Sequence, residues 1–203
     1  MHLPTIPSFD TASAEQARLR QTLLTKPAGA LGLLEPLSVQ LAGITAQARP
    51  RFQRKGVIIM AADHGVALEG VSAYPAEVTP QMVLNFLAGG AAVNVLARQA
   101  NAAVTVVDIG VNYDFQNAPG MLHRKIARGS ANLLKGPAMT REQTERAIQT
   151  GIEVVQAQIE GGLDLAATGE MGIGNTTPSS AITAVLTGLP VREVTGRGTG
   201  IDE

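Results

Sequence analysis

Apolar residues fall into two patterns along this chain. Gly56-Val-Ile-Ile-Met-Ala-Ala62 and Ala103-Val-Thr-Val-Val-Asp108-Ile-Gly110 are runs rich in β-branched residues, as expected of strands covered on both faces. Leu163-Asp-Leu-Ala-Ala-Thr168 reads as a further buried strand, and Val191-Arg-Glu-Val-Thr195 as a short one. Elsewhere the spacing is helical. A capping box at Ser13-x-x-Gln16, followed by Ala17, Leu23 and Leu24, predicts an amphipathic helix from Ser13 to about Thr25. Lys26-Pro27-Ala-Gly29 breaks it, and a second helix is expected over Leu31–Ala48 with Pro36 in its first turn or at a kink. Thr79-Pro80 marks an N-cap, with Met82, Val83, Phe86 and Leu87 as the buried stripe behind it. Gly89-Gly90 interrupts, and a small-residue helix follows from Ala91 to Ala100. Thr140-x-x-Gln143 opens a helix whose Ile148, Ile152, Val155 and Ile159 recur at helical spacing until Gly161-Gly162. Thr177-Pro178 starts another, running to about Thr187.

Strands alternating with helices predict an α/β fold, a Rossmann-like, mostly parallel sheet with flanking helices. The helices that precede any strand form a small helical layer of their own, so residues 1–50 are the N-terminal helical part of a small domain and 51–203 an α/β domain. Residues 111–139, rich in Asn, Gly and Pro, exceed an ordinary loop; Leu122–Ile126 is read there as a short edge strand. Asp202-Glu203 has the look of an N-cap and first turn, which leads to the expectation that the chain is cut short.

Composition narrows the partners. Hydrophobic residues make up 45% and charged residues 16% of 203, the balance of a globular chain. A net charge of −1 with 3% aromatics argues against nucleic acid, which needs basic patches and stacking platforms. There is no cysteine, and His2, His64 and His123 are dispersed, so no metal site is expected. No apolar run approaches ~18 residues, so no membrane partner is expected and a cytoplasmic protein is the default.

The candidate chemistry sits in Thr168-Gly169-Glu-Met-Gly172-Ile-Gly174-Asn-Thr-Thr177. Its glycines let the backbone lie bare against a ligand, and its unpaired amides at a helix start form an anion site. The spacing is that of a P-loop, but Asn175 stands where the phosphate-reaching lysine would be, which disfavours a triphosphate. As a dinucleotide fingerprint, Gly172-x-Gly174-x-x-Thr177 lacks the third glycine, although Glu193 falls where a ribose acid would. A plain glycine turn between strand and helix satisfies the same pattern. A monophosphate held by backbone groups is the reading preferred here. A second cluster, Gly196-Arg-Gly198-Thr-Gly200, could face the first across a sugar phosphate. Asp63-His64, after the first strand, stands where ligands sit in open α/β sheets; an acid/base pair and a turn-fixing pair fit equally. Ser72, Tyr74 and Gln81 are uncommitted polar and aromatic groups near that strand end.

Ala62-Asp-His-Gly-Val66, Glu69-Gly-Val-Ser-Ala-Tyr-Pro75, Val78-Thr79 with Gln81-Met82, Val107-Asp-Ile-Gly-Val111, Gly169–Thr177 and Gly196–Gly200 together resemble the nicotinate-nucleotide:dimethylbenzimidazole phosphoribosyltransferase family. The resemblance covers essentially the whole chain. It implies transfer of phosphoribose from nicotinate mononucleotide to 5,6-dimethylbenzimidazole, giving α-ribazole 5′-phosphate and nicotinate, without a cofactor and in a protein that is a homodimer at full length.

By that resemblance, Gly169, Glu170, Met171, Gly172, Ile173, Gly174, Asn175 and Thr176 bind phosphoribose, with Glu170 near the ribose, and Gly196, Gly198 and Gly200 close the pocket. Ser72, Tyr74 and Gln81 line the benzimidazole pocket. The family's general-base glutamate has no match in these residues and is expected beyond residue 203; Glu170 and Glu203 lack its surrounding sequence. The catalytic residue is thus unassigned, and weak phosphate binding with slow or absent turnover is expected of the chain alone. Two rival readings remain: an NAD(P)-binding oxidoreductase domain and a non-catalytic, truncated sugar-phosphate-binding homologue.

Overall fold

The computed structural model describes residues 3–116 and 118–200; His2 and the cap expected at Asp202-Glu203 lie outside them. The chain divides into two compact units, Met1–Gln53 and Arg54–Glu203.

The first unit is a pair of helices, α1 (Thr11–Leu23) and α2 (Leu34–Thr45). α1 starts earlier than the capping box at Ser13 predicts, because Asp10 Oδ1 accepts the Ser13 amide at 2.6 Å and so takes the N-cap. That amide holds the Asp10 carboxyl below the usual carboxylate range. Ala14 and Ala17 form the buried face, while Leu23 stays exposed. α2 is shorter than expected and carries Pro36 in its first turn, where the missing N–H is harmless. Gly43 is glycine for a packing reason: a β-carbon there would overlap the ring of Phe9.

The second unit is built on a parallel sheet of four strands, ordered β3-β2-β1-β4. These are β1 (Lys55–Ala62), β2 (Ala102–Gly110), β3 (Met121–His123) and β4 (Leu165–Met171). Alternate residues of the central strands enter two cores, which is why β1 and β2 read as unbroken apolar runs. On one face Ile59, Ala61 and Val106 meet Val83 and Phe86 of α3 (Val78–Ala88) and Ala91 at the entry to α4 (Ala92–Ala100). On the other, Ile58 and Val107 meet Val154 of α5 (Arg141–Glu160). By length and composition 78–100 would pass for a membrane span, contrary to the reading that no apolar run comes close. Gly89, at φ 77°, ends α3 and a separate helix follows, so the stretch folds as two short core helices.

Several elements depart from the sequence reading. The Thr140–Gln143 capping box forms, yet α5 buries Thr150 and Val154, leaving Ile148 and Ile159 exposed. β4 is not buried: Leu165 to Thr168 are exposed, and among the described residues the strand pairs with β1 alone. It also runs on through Gly169, Glu170 and Met171, which are strand rather than loop. α6 (Thr176–Thr187) begins before the predicted Thr177 cap, with Asn175 in the N-cap position and no side-chain cap bond. The reason is local: Asn175 N bonds Gly172 O and Thr177 N bonds Gly174 O, so the chain is already wound when it reaches Pro178. Val191–Thr195 is not a strand but a helical turn, α7 (Val191–Val194), preset by Pro190 and docked on α6 by the bond from Ser180 Oγ to Val194 O.

The long 111–139 segment contributes β3 at the edge beside β2, shorter than Leu122–Ile126. It is held by Lys125, whose Nζ lies 2.8 Å from Asp108 Oδ2 and also donates to the carbonyls of Val111 and Tyr113. Asp108 is 2% exposed, and its other oxygen accepts the Val111 amide at 2.9 Å.

Candidate functional site

From β1 the chain reaches β2 and β3 on one side, and β4 returns to the other, so strand order reverses between β1 and β4. In open α/β sheets the crevice beyond the carboxyl ends at such a reversal is where ligands bind. Here those ends are Ala62-Asp63-His64 and Met171-Gly172.

Asp63 is a turn-fixing residue. Its backbone donates to Gly110 O and accepts from Ser130 N, and its Oδ2 accepts the Asn112 amide at 2.7 Å. His64 is half-buried, and desolvation, partly offset by the Asp63 charge, pushes its pKa below the usual imidazole value, so it is neutral near pH 7.

The glycine turn is tied down on both sides. Gly174 has φ 83° and is buried against the 3₁₀ turn Gly65–Glu69, where a β-carbon would stand 3.3 Å from Ala67 Cα. The Ile173 amide donates to Thr79 Oγ1 at 3.0 Å. The Thr-Pro pattern makes Thr79 the N-cap of α3, but Glu77 holds that position and Thr79 sits wholly buried in the first turn. With Ile173, Asn175 and Thr177 amides occupied, those of Gly174 and Thr176 are left without an acceptor among the described residues. Thr176 is exposed at the start of α6, while Gly174 is buried.

The second cluster reaches the first. A β-carbon on Gly198, at φ 53°, would lie 3.1 Å from Thr176 Oγ1, so this loop crosses directly over the start of α6. Between them lies a cavity of about 600 Å³ lined by Thr176, Thr177, Ser180, Gly196 and Gly198, with Arg192 and Arg197. Local sequence does not mark these arginines as cavity residues, beyond the place of Arg197 inside a glycine cluster. Gly169 is set apart from this cavity in β4, against Ile59. Gly200, at φ 95°, closes the turn through its amide to Arg197 O.

Glu170 ends β4. Partial desolvation raises its pKa above the usual carboxylate value, with a hydrogen bond to Asn175 pulling the other way. Ser72 Oγ lies 3.3 Å from Thr199 Oγ1, which also accepts the Ala73 amide at 3.0 Å. The loop holding Ser72 and Tyr74 is therefore joined to the second glycine cluster through Thr199, a residue not picked out in advance. Tyr74 is 56% exposed and Gln81 is exposed on α3. Among the described residues no three His, Cys, Asp or Glu side chains gather as a metal site would require. The dinucleotide reading loses its second support, since Glu193 lies in α7 rather than at a strand end.

Known proteins resemble this chain along nearly its whole length. A family model described as Phosphoribosyltransferase matches residues 6–203. Proteins named nicotinate-nucleotide--dimethylbenzimidazole phosphoribosyltransferase from Chloroflexus aggregans and Roseiflexus castenholzii are each 59% identical, over 96% and 98% of this chain and 55% and 56% of their own lengths. A crystal structure of CobT from Thermus thermophilus superposes with a TM-score of 0.91 at 53% identity, covering 95% of this chain and 58% of that one. The chain thus spans somewhat more than half the length of the relatives it matches. It belongs to the phosphoribosyltransferase family that this match defines.

Proposed function

We propose that the chain is the phosphoribose-binding part of an enzyme that transfers phosphoribose from nicotinate mononucleotide to 5,6-dimethylbenzimidazole, yielding α-ribazole 5′-phosphate and nicotinate. The observation that carries the reading is the meeting of two glycine clusters at one cavity, with Gly198 over Thr176 and two free amides at the start of α6. The names borne by the relatives supply the substrates.

In this reading the 5′-phosphate rests on the Gly174 and Thr176 amides and the positive end of α6, with Arg192 and Arg197 supplying charge. The acceptor base lies beside Ser72, Tyr74 and Gln81. An azole nitrogen attacks the anomeric carbon from the face opposite nicotinate; the new C–N bond forms as the old one breaks, and nicotinate leaves with its electron pair. The azole must also lose a proton. The family's base has no counterpart in these residues, so turnover by this chain alone is expected to be slow or absent. A homodimer in the cytoplasm at full length completes the proposal.

Calorimetry with nicotinate mononucleotide, inorganic phosphate and NAD tests the reading. Binding of the mononucleotide and of phosphate, with none for NAD, is expected. Tight NAD binding with none for the mononucleotide would overturn it in favour of an oxidoreductase domain.

A further inference from the structure

We infer that Thr79 is a positioning residue that couples the phosphoribose turn to the acceptor-base pocket through helix α3. The inference deepens the proposed function and rests on it.

Thr79 is 0% exposed and one of few polar side chains buried in the described core. Its hydroxyl reaches across 94 residues of sequence to accept the Ile173 amide at 3.0 Å. Ile173 is itself 7% exposed, so without that oxygen its amide would be an unsatisfied donor, which costs about 1–3 kcal/mol. The turn would escape by rotating the Ile173 peptide, and the peptides that follow carry the two free amides at Gly174 and Thr176. Thr79 therefore fixes the direction in which the phosphate donors point.

The same first turn of α3 carries Gln81, two residues on. Behind it, Val83 and Phe86 are sunk in the core against β1, so the helix cannot slide freely. One rigid element thus bears both the anchor of the donor cradle and a residue expected to touch the acceptor. Thr79 sets the spacing between two substrates that must meet at a bond-forming distance. A Thr-Pro pair at a helix start would normally cap its own helix; here Glu77 holds that place and the hydroxyl is free for the distant turn.

The test uses Thr79→Val, which keeps the shape and removes the acceptor, Thr79→Ser, which keeps the acceptor, and Thr79→Cys, which keeps a weaker one. Affinity of the 203-residue chain for nicotinate mononucleotide and for inorganic phosphate is measured by calorimetry well below each melting temperature, alongside amide exchange at Ile173. Thr79→Val should weaken both ligands about tenfold and speed exchange at Ile173, Thr79→Cys should fall between, and Thr79→Ser should restore binding. A folded Thr79→Val with a lower melting temperature but unchanged affinity makes the residue merely structural and overturns the inference. Should Thr79→Val not fold, full affinity in Thr79→Cys overturns it equally. If the wild-type chain binds phosphate but not the mononucleotide, the proposed donor fails while Thr79 is judged on phosphate alone; if it binds neither, both fall.

Discussion

His64 lies directly over the α-carbon of Gly172: a β-carbon there would stand 2.8 Å from His64 Nε2 and would overlap the carbonyl oxygen of Ala62. The glycine is thus needed by the fold before any ligand arrives, since the ends of β1 and β4 close on each other at that point. Gly172→Ala is expected to destabilise the chain by about 1–3 kcal/mol, the usual cost of overpacking. Urea unfolding measures it, and an unchanged midpoint would show that the strand ends are not in this contact.

Two titrating groups near that junction give opposite pH dependences. Folding lowers the pKa of His64 below 6.5, so the stability it contributes is present above 6.5 and is lost as pH falls from there through the folded value. Folding raises that of Glu170 above 4.5, so its ionisation opposes folding, and stability falls as pH climbs from 4.5 through the raised value. Glu170→Gln should therefore melt higher than wild type at pH 7, with the gain vanishing near pH 4. His64→Gln should flatten the loss of melting temperature between pH 7 and pH 5. Melting curves across that range check both, and a constant Glu170→Gln gain at all pH values would exclude titration as its cause.

How far local sequence carries depends on the range of the contact that decides each element. β1, β2 and the Thr140–Gln143 box were legible because period and capping lie within a few residues. Val191–Thr195 misled because its β-branched residues suit a strand, yet among the described residues no strand pairs with it and Pro190 starts a helical turn. β4 misled for a related reason: an apolar run does not say whether other elements cover its faces, and Leu165 to Thr168 stay exposed. Around the cavity, the approach of the two glycine clusters could be anticipated. Thr79, Thr199 and the choice of which amides stay free could not, because each depends on a partner far away in sequence.

Lys125 is expected to be the residue that keeps the 111–139 segment in place. Removing it as Lys125→Met leaves the Asp108 carboxylate, 2% exposed, with the Val111 amide as its remaining bond. Breaking one side of a buried pair typically costs about 3–5 kcal/mol, and the Val111 bond puts this case at the lower end. The double variant Asp108→Asn/Lys125→Met should recover part of that loss, because no unpaired buried charge remains. A double-mutant cycle by chemical denaturation measures the coupling, and strictly additive losses would show that the pair is not the fastening.

The contact of Gly198 with Thr176 separates binding from folding. Gly198 is exposed, its φ of 53° suits glycine, and a β-carbon would press on Thr176 Oγ1 at 3.1 Å. Gly198→Val, strained at that φ and pressing on Thr176, is expected to displace the 196–200 loop on the side of the cavity that Arg197 lines. Little core is disturbed, since α7 and the loop after it bury no side chain fully. The variant should keep a wild-type melting temperature within a few degrees while affinity for nicotinate mononucleotide falls about tenfold or more. On the proposed function, inorganic phosphate uses the turn at Gly174 and Thr176 while the displaced loop serves the sugar, so phosphate should lose less. Equal losses for the two ligands would mean that the loop acts on the phosphate itself, and no loss for either would remove the second glycine cluster from the site.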